Sequence, residues 1–463
     1  MRYRNSMNQT RRENLMKRGV TRMKDRVCIH GAARSIGSSC VELTSGRDHL
    51  ILDYGKPLEG ERPVPFKIPK KRFHRYQFML SHSHLDHCGY VNEIPEYQYP
   101  INEKIRVLAT ERTIKAMKLQ NPEVQLREIE TLCPDLVWGW HGFWYAFVYA
   151  DHSAPDACSL IIATKRNVFL YTGDFRLHGR RSDDYIERIR DALRHKYFAG
   201  KPLTLITEAT NAGTESGPSE QDVEDELAKE FEKPGLVMVK MANQNLQRIE
   251  SIYNACMRSD RIMVTEPYTA YCTLELGKQE RNLAGEPAGK PFNVRPDGKV
   301  WKVFNIQSSW TSRLAESGEL NQFGGHIKIT KDQFESLADR IVAIANYGMQ
   351  DFLERRNLVD RVVWSMWKGY TCYEELFGKY EVKCIHASGH VLSSPVMPTS
   401  TSTSVSCLVF ISYFFTYLRP PSKKMQFWGT ISTLPASLMM ILARAVMVGK
   451  SLFLELATST YTL

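Results

Sequence analysis

Four side chains of the types that bind metal ions lie within six residues, directly after a short apolar run. The segment reads His82-Ser83-His84-Leu85-Asp86-His87. Imidazole nitrogens and carboxylate oxygens are the ligands that zinc takes when its site must stay open to water. Side chains two residues apart on an extended segment point the same way, so His82 and His84 can share one ion. Asp86 and His87 follow after the chain turns and are placed to face a second ion.

A His-rich surface loop is the alternative interpretation of this segment, and it is disfavoured because the whole chain has only 13 histidines. Two ions need further ligands, which the ends of later apolar runs can supply. His152 closes the run 143–150, and Asp174 closes the run 167–172. We expect both to be ligands, with Asp174 placed to bridge. Asp53 is predicted to be a buried carboxylate that orients the ligand imidazoles.

The elements that must position these residues are short apolar runs with turn residues on their flanks, which predict strands. The predicted strands are 27–31, 39–43, 49–55, 76–81, 105–109, 143–150, 159–163, 167–172 and 203–207. A helical pattern over 111–119 lies among them. Strands mixed with helices indicate an α/β fold.

Beyond Thr207, predicted helices and strands alternate, which indicates a second α/β unit. Helices are predicted over 219–231, with Ser219 as a candidate N-cap, and over 245–257. Strands are predicted at 236–240 and 261–265, and buried strands at 361–367 and 382–386. Residues 284–325 are polar and Gly-rich, and we expect long loops there.

A chain of 463 residues is long enough for two domains, or for one domain with a large insertion. Its ten cysteines form no CxxC pair, which favours reduced thiols in a cytosol over a disulfide framework or a cysteine zinc site. The net charge of +10 favours a polyanionic partner, because Lys and Arg that neutralise phosphates release bound counterions.

In order and approximate spacing, the candidate metal residues resemble the motifs of the metallo-β-lactamase superfamily. Within it, the chain is similar to the β-CASP nucleases, the group that contains RNase J and the cleavage endonuclease of mRNA 3′-end processing. Four later stretches carry this narrower resemblance: 206–211, 243–248, 364–370 and 386–390. The resemblance covers roughly residues 26–390.

This resemblance implies an α/β fold, a metallo-β-lactamase αββα sandwich with an inserted α/β β-CASP cap domain. It places the first part of the sandwich at 26–211, the cap at 212–360 and the return to the sandwich at 361–390. It also implies two zinc ions, with manganese as an alternative metal. The ligands that it implies are His82, His84 and His152 for one ion, Asp86 and His87 for the other, and Asp174 as the bridge.

The resemblance further implies hydrolysis of a phosphodiester. Two ions that share a water lower its pKa and yield a hydroxide that attacks phosphorus, with Asp86 counted among the catalytic residues. Glu208 matches the first accessory acid and His390 the second accessory motif, and they are expected to pair near the scissile phosphate. His390 would protonate the leaving oxygen while Glu208 holds its tautomer or raises its pKa. Ser365 and Ser388 are candidates for phosphate binding, or ordinary turn serines.

The two ends of the chain differ from the rest. Residues 1–25 hold eight Lys and Arg and no apolar stretch, so they predict a disordered, solvated extension rather than a secretory signal. An organelle transit sequence is a weaker alternative, and Met23 is an alternative start to Met1. Residues 391–463 contain one acid, Glu455, and no His. Their apolar stretches fall short of the roughly 20 residues of a spanning helix, so we expect a foreign or frame-shifted end, with a loosely anchoring tail as the alternative.

The family pattern continues past the position of His390 to one more strand that ends in a His ligand. We therefore expect the second zinc ion to bind weakly, and the last strand and helix of the first domain to be missing. The leading prediction is a cytoplasmic, zinc-dependent RNase J-like ribonuclease that acts on RNA, with DNA as the alternative substrate and no obligatory membrane. The competing predictions are a lactamase-fold hydrolase of a small substrate and a nucleic-acid-binding homologue without turnover. Endonuclease or exonuclease action and the oligomeric state stay open.

Overall fold

Two mixed sheets that pack face to face and a third, parallel sheet form the framework of the chain in a computed structural model. The structure describes residues 25–32, 37–58, 67–69, 73–98, 103–124, 129–132, 134–208, 210–211, 217–278, 280–281, 287–288, 292–370, 372–391, 405–411, 444–448 and 451–455.

The strands up to residue 208 are β1 (Arg26–Gly31), β2 (Cys40–Ser45), β3 (Asp48–Leu52), β4 (Arg75–Met79), β5 (Tyr97–Gln98), β6 (Glu103–Lys104), β7 (Arg106–Thr110), β8 (Ile129–Leu132), β9 (Val137–Trp140), β10 (Phe143–Tyr149), β11 (Cys158–Ala163), β12 (Val168–Tyr171) and β13 (Leu203–Glu208). The next strands are β14 (Val237–Lys240), β15 (Ile262–Thr265), β16 (Glu280–Arg281), β17 (Pro287–Ala288), β18 (Trp301–Phe304), β19 (Lys328–Ile329), β20 (Ile341–Ile344), β21 (Arg361–Trp364) and β22 (Glu381–Cys384). The last three are β23 (Val405–Ile411), β24 (Arg444–Val448) and β25 (Ser451–Glu455).

The α-helices are α1 (Leu85–Cys88), α2 (Glu111–Gln120), α3 (Tyr185–Leu193), α4 (Glu220–Phe231), α5 (Leu246–Arg258), α6 (Pro267–Gly277), α7 (Ser309–Glu316), α8 (Lys331–Ser336), α9 (Tyr347–Arg355) and α10 (Tyr373–Leu376). Short 3-10 helices lie at Val91–Glu93, Glu319–Gln322, Ala338–Arg340 and Lys368–Tyr370.

The first two sheets form a sandwich with helices on its outside. Their strand orders are β24-β25-β1-β2-β3-β4-β7-β8 and β23-β13-β12-β11-β10-β9. Alternate side chains of both sheets, such as Leu43 and Leu160, meet in one buried core between them. Helix α2 packs on the outer face of the first sheet through Met117, and α3 packs on the second sheet through Tyr185 and Ile189. The α/β fold class and the αββα layering predicted from the sequence are confirmed.

The third sheet is wholly parallel, with strand order β19-β18-β15-β20-β14-β21-β22. Its inner strands are buried apolar runs because helices cover both faces, α4, α5 and α6 on one side and α8, α9 and α10 on the other. Helix α4 begins with a capping box: Ser219 Oγ accepts a bond from the Asp222 amide, and the Asp222 carboxylate accepts one from the Ser219 amide. The N-cap predicted at Ser219 is therefore confirmed.

The extent of this second unit differs from the sequence-based expectation of 212–360. Strands β21 and β22 pair with β14 and with each other, so the third sheet continues to Cys384. The chain then returns to the sandwich over a few residues, and Val391 packs with the core outside the second sheet. The apolar run at 361–364 gives no local sign of which sheet it joins, because a parallel partner is always distant in sequence.

Two smaller expectations also differ from the structure. Residues 284–325 contain β18 and α7 rather than loops alone, and Trp301 of β18 is fully buried in the core of the second unit. Strand β22 is half-buried instead of buried, because it forms the edge of the third sheet.

Three strands of residues 391–463 extend the edges of the sandwich. Strand β23 pairs in parallel with β13, although the last strand of the first domain was expected to be missing. Strand β25 pairs with β1 and with β24. The predicted disordered extension, except for Asp25, and the other residues after 391 lie outside the described residues. In the part of the chain that is described, no helix is both long and apolar enough to cross a membrane.

Candidate metal centre

The predicted metal ligands lie where strands of both sandwich sheets end. Strands β3 and β4 are parallel neighbours, so Asp53 and the 82–87 segment follow strand ends at the same edge. Strands β10 and β12 both run antiparallel to β11 between them, and His152 and Asp174 follow their carboxyl ends. The two edges meet, and the structure brings all six predicted ligands together.

The first ligand group consists of His82, His84, His152 and Asp174. One donor atom of each lies within 4.8 Å of the others. His152 Nε2 is 3.1 Å from His84 Nδ1 and 3.8 Å from Asp174 Oδ2. His82 Nε2 is 3.9 Å from the same Asp174 oxygen. Three imidazoles and one carboxylate around a common point are a donor set that suits zinc.

The second ligand group consists of Asp86, His87 and Asp174, again within 4.8 Å of one another. Asp86 and His87 lie on the single turn of α1, and His87 Nε2 is 3.2 Å from Asp174 Oδ2 and 3.8 Å from Asp86 Oδ2. Asp174 therefore belongs to both groups. Its position fits the predicted bridge.

Asp53 is fully buried and holds the second group in place. Its carboxylate accepts hydrogen bonds from the Ser81 amide at 2.7 Å, the Ser81 hydroxyl at 2.8 Å, His87 Nδ1 at 2.7 Å and the Tyr171 hydroxyl at 2.6 Å. The bond to His87 Nδ1 leaves Nε2 of that ring directed at Asp174. This is the orienting role that the sequence predicted for Asp53.

The imidazoles of His82 and His152 are oriented in the same way, through the nitrogen that faces away from the centre. His152 Nδ1 bonds the Gly389 carbonyl at 2.6 Å, and His82 Nδ1 lies 3.0 Å from the Ser81 hydroxyl. His82 Nε2 is buried and has no hydrogen-bond partner among the described residues. A buried nitrogen without a partner, close to the Asp174 carboxylate and the imidazoles of His84 and His152, fits a metal ion.

The protonation states of His82, His152 and Asp174 suit metal binding. Burial and the neighbouring imidazoles lower the pKa of His82 and His152 well below the ordinary value for histidine. Burial raises the pKa of Asp174, but the nearby His87 and His390 together bring it well below its usual range. Neutral imidazoles and an ionised carboxylate are the forms that bind metal ions.

Glu208 and His390 form a hydrogen-bonded pair beside Asp174. His390 Nδ1 lies 2.7 Å from Glu208 Oε2 and 3.6 Å from Asp174 Oδ2, and the other Glu208 oxygen accepts a bond from the Phe175 amide at 2.8 Å. Burial lowers the pKa of His390, but the Glu208 and Asp174 carboxylates raise it to about 9. The His390 side chain is 26% exposed. Both residues line a pocket together with Asp86, His87 and Asp174.

The hydroxyl groups of the two candidate phosphate-binding serines are hydrogen-bonded to other groups of the protein. Ser365 is 2% exposed, accepts a hydrogen bond from Arg248 Nη1 and donates one to the Ile385 carbonyl at 2.6 Å. Its hydroxyl is thus bonded inside the second unit, which favours the alternative of an ordinary turn serine. Ser388 Oγ accepts bonds from the Asn211 side chain at 2.9 Å and from the His390 amide at 3.1 Å. Ser388 therefore shapes the turn that carries His390.

A buried charge network that the sequence did not predict joins the two units behind this centre. Arg176, two residues after Asp174, contacts Asp151 at 2.9 Å and Glu220 at 2.8 Å. Glu220 of α4 also contacts Arg248 of α5 at 2.9 Å. All four side chains are 0% exposed. The only feature of the sequence that pointed to part of this network was the position of Asp151 directly before the predicted ligand His152.

Comparisons with known proteins show which proteins the chain is similar to. No protein-family model matches the chain. Ribonuclease J of Thermus thermophilus is 25% identical over 254 residues, 51% of this chain and 44% of that protein. RNase aCSPSF2 of Saccharolobus solfataricus is 24% identical over 319 residues, 64% of this chain and 60% of that protein. The RNase J-like protein of Methanocaldococcus jannaschii is 27% identical over 257 residues, 52% of this chain and 57% of that protein.

The chain thus spans between 44% and 60% of the length of these three relatives. Among solved structures, a protein of unknown function from Enterococcus faecalis V583 has the same fold, with a TM-score of 0.58 at 18% identity, over 80% of this chain and 89% of that one. The relatives and the αββα sandwich confirm the resemblance of this chain to the RNase J-like, β-CASP proteins of the metallo-β-lactamase superfamily.

Proposed function

We propose that the protein is a metal-dependent hydrolase that cleaves phosphodiester bonds in RNA. The observation that carries the proposal is the position of Asp174, which is shared by two groups of metal ligands and lies 3.6 Å from the Glu208–His390 pair. Its relatives named as ribonucleases support RNA as the substrate class. The net charge of +10 agrees with a polyanionic substrate.

Zinc is the proposed cofactor, with manganese as the alternative, because every ligand is an imidazole or a carboxylate. His82, His84 and His152 would hold one ion, Asp86 and His87 the other, with Asp174 between them. Two bound ions would activate a water and offset negative charge on the phosphate.

The residues of the chain itself supply orientation and proton transfer. Glu208 accepts the hydrogen bond of His390 Nδ1, which fixes the ring and leaves Nε2 to donate a proton to the leaving oxygen. The Phe175 amide holds the second Glu208 oxygen, so the carboxylate cannot rotate away from His390 without losing that bond. Asp53 keeps His87 directed at Asp174 by the bond to the far ring nitrogen.

Cleavage assays on three substrates test this function. Metal-free protein would be incubated with a labelled RNA, a DNA of the same sequence and a small aryl phosphodiester, with and without added Zn²⁺ or Mn²⁺. We expect cleavage of the RNA only when metal is added. Hydrolysis of the small ester alone would select the small-substrate hydrolase, and binding of the RNA without cleavage would select the homologue without turnover.

A further inference from the structure

A second set of metal-binding side chains lies on the outer face of the first sheet. Val27 and Ile29 of β1 belong to the core between the two sheets. Because strand side chains alternate, Cys28 and His30 point to the opposite, outer face. The β1–β2 register places Glu42 directly across from Cys28. The thiol, the imidazole and the carboxylate therefore share one face of the sheet.

The side chains of Cys28, His30 and Glu42 are close enough to bind one ion. One donor atom of each lies within 4.8 Å of the others. His30 Nε2 is 2.8 Å from Glu42 Oε2, and Cys28 Sγ is 3.9 Å from His30 Nδ1. His49 Nδ1 is 2.5 Å from the other Glu42 oxygen, and its Nε2 is 2.6 Å from His74 Nδ1. We call Cys28, His30, Glu42 and His49 the β1–β2 cluster.

The β1–β2 cluster is shielded from water. The side chains of His30, Glu42 and His49 are 13%, 12% and 5% exposed, and Cys28 is buried. Burial raises the pKa of Glu42, but hydrogen bonds from His30 and His49 lower it to about 2, so the carboxylate stays ionised. A divalent cation bound by one thiolate, one carboxylate and one neutral imidazole makes a site with no net charge. Such a site suits a poorly solvated position, where an uncompensated charge is costly.

We propose that the β1–β2 cluster binds one divalent ion of the zinc type through Cys28, His30 and Glu42, while His49 holds the second Glu42 oxygen by a hydrogen bond. Thiolate sulfur, imidazole nitrogen and carboxylate oxygen are all donors that zinc takes in proteins, and a structural zinc site is closed to water. A thiolate favours zinc or cobalt over magnesium or manganese. On binding, the Cys28 thiol releases its proton to solvent, and the hydrogen bond between His30 and Glu42 is replaced by a bond from each residue to the ion.

This site differs from the candidate metal centre in position and in chemistry. Its residues take no part in the proposed hydrolysis, and it would join β1 and β2 rather than the strand ends that carry Asp174. The candidate metal centre has no cysteine among its ligands. A metal ion whose absorption spectrum reports sulfur ligands therefore distinguishes the β1–β2 cluster from the candidate metal centre.

Cobalt is the probe that tests the proposal. Metal-free, full-length protein would be titrated with Co²⁺ while the near-ultraviolet sulfur-to-cobalt charge-transfer band is recorded. We expect a band in the wild type that saturates at one thiolate-bound ion per chain. The band should be lost in Cys28→Ser and kept in Cys372→Ser, which replaces an exposed cysteine.

The band should also persist in His84→Ala, because that residue belongs to the candidate metal centre. Loss of RNA cleavage in His84→Ala with the band intact would separate the two sites. The wild-type titration depends on no variant, so a failure of Cys28→Ser to fold does not prevent the test. Absence of a sulfur band in the wild type, or an undiminished band in Cys28→Ser, would overturn the proposal.

Discussion

Glu208 and His390, 182 residues apart in the chain, are joined by a 2.7 Å hydrogen bond beside the Asp174 carboxylate. Glu208 ends a strand of the sandwich, whereas His390 follows the return of the chain from the second unit. The pair therefore forms only when both units are folded and correctly placed. This relationship links the architecture of the chain to the proton transfer that we propose.

Replacing Glu208 by Gln should slow RNA cleavage without removing metal. The amide of Gln cannot carry the negative charge that keeps His390 protonated and its ring in place. Loss of one general acid costs about 10²- to 10⁴-fold in rate. Single-turnover cleavage of a labelled RNA, together with metal analysis of the same sample, measures both effects.

Glu226→Gln on α4 is the matched control, because Glu226 contacts Lys383 at 3.1 Å, away from the centre. It should cleave RNA at the wild-type rate. A Glu208→Gln protein as active as this control would contradict the proposed role of the pair.

Replacing Asp53 by Asn should weaken metal binding at the second ligand group. Asp53 accepts four hydrogen bonds, and an amide would present an NH₂ group to one of those donors. Loss of such an orienting partner typically lowers metal affinity by about 10- to 100-fold. Competition between the protein and a zinc chelator measures the affinity. Asp260→Asn, at a side chain that is 94% exposed, is the control and should bind zinc like the wild type.

The two proposed ions should differ in how tightly they are held. Among the described residues, the first group offers three imidazoles and Asp174, whereas the second offers Asp86, His87 and the shared Asp174. The segment 391–463 contains no His that could complete the second group. Dialysis of Cys28→Ser protein, which lacks the thiolate of the β1–β2 cluster, against a mild chelator, followed by metal analysis, should leave one ion and remove the other. Two ions retained under the same conditions would rule out a weak second site.

The buried network between the two units should make the fold sensitive to acid. Burial raises the pKa of Glu220, but Arg248 and Arg176 lower it below its ordinary value. The stabilisation that the ionised Glu220 carboxylate gives to the folded state is therefore complete above the unfolded-state pKa of about 4.3. It is lost as the pH falls through the lower, folded-state pKa. Glu220→Gln should cost about 3–5 kcal/mol of unfolding free energy at neutral pH, because two buried guanidinium groups lose their partner.

Urea unfolding of the wild type and Glu220→Gln at several pH values checks this prediction. The difference between their free energies of unfolding should narrow below about pH 4, as Glu220 of the unfolded wild-type chain takes up a proton. Glu226→Gln should change the unfolding free energy by less than about 0.5 kcal/mol at neutral pH. A difference for Glu220→Gln that stays constant over this range would contradict the assignment.

Local patterns predicted the elements that carry the centre. The apolar run before His82 forms β4, and Ser219 begins α4 with the expected cap, because side-chain alternation and capping depend on residues close in sequence. The surroundings of Ser365 and Arg176 could not be predicted in this way. The partners of Ser365 lie 20 to 117 residues away in the chain. The two acids that contact Arg176 lie 25 and 44 residues away from it. Only the tertiary fold brings these groups together.

The central claim is that the 82–87 segment holds metal for cleavage of RNA, and one assay tests it most directly. Wild-type protein, His84→Ala and His326→Ala would each be incubated with labelled RNA and Zn²⁺ or Mn²⁺; His326 is an exposed histidine of the second unit and serves as the control. The wild type and His326→Ala should cleave the RNA at equal rates, and His84→Ala should not cleave it. Cleavage by His84→Ala at the wild-type rate, or binding without cleavage by all three proteins, would contradict the claim.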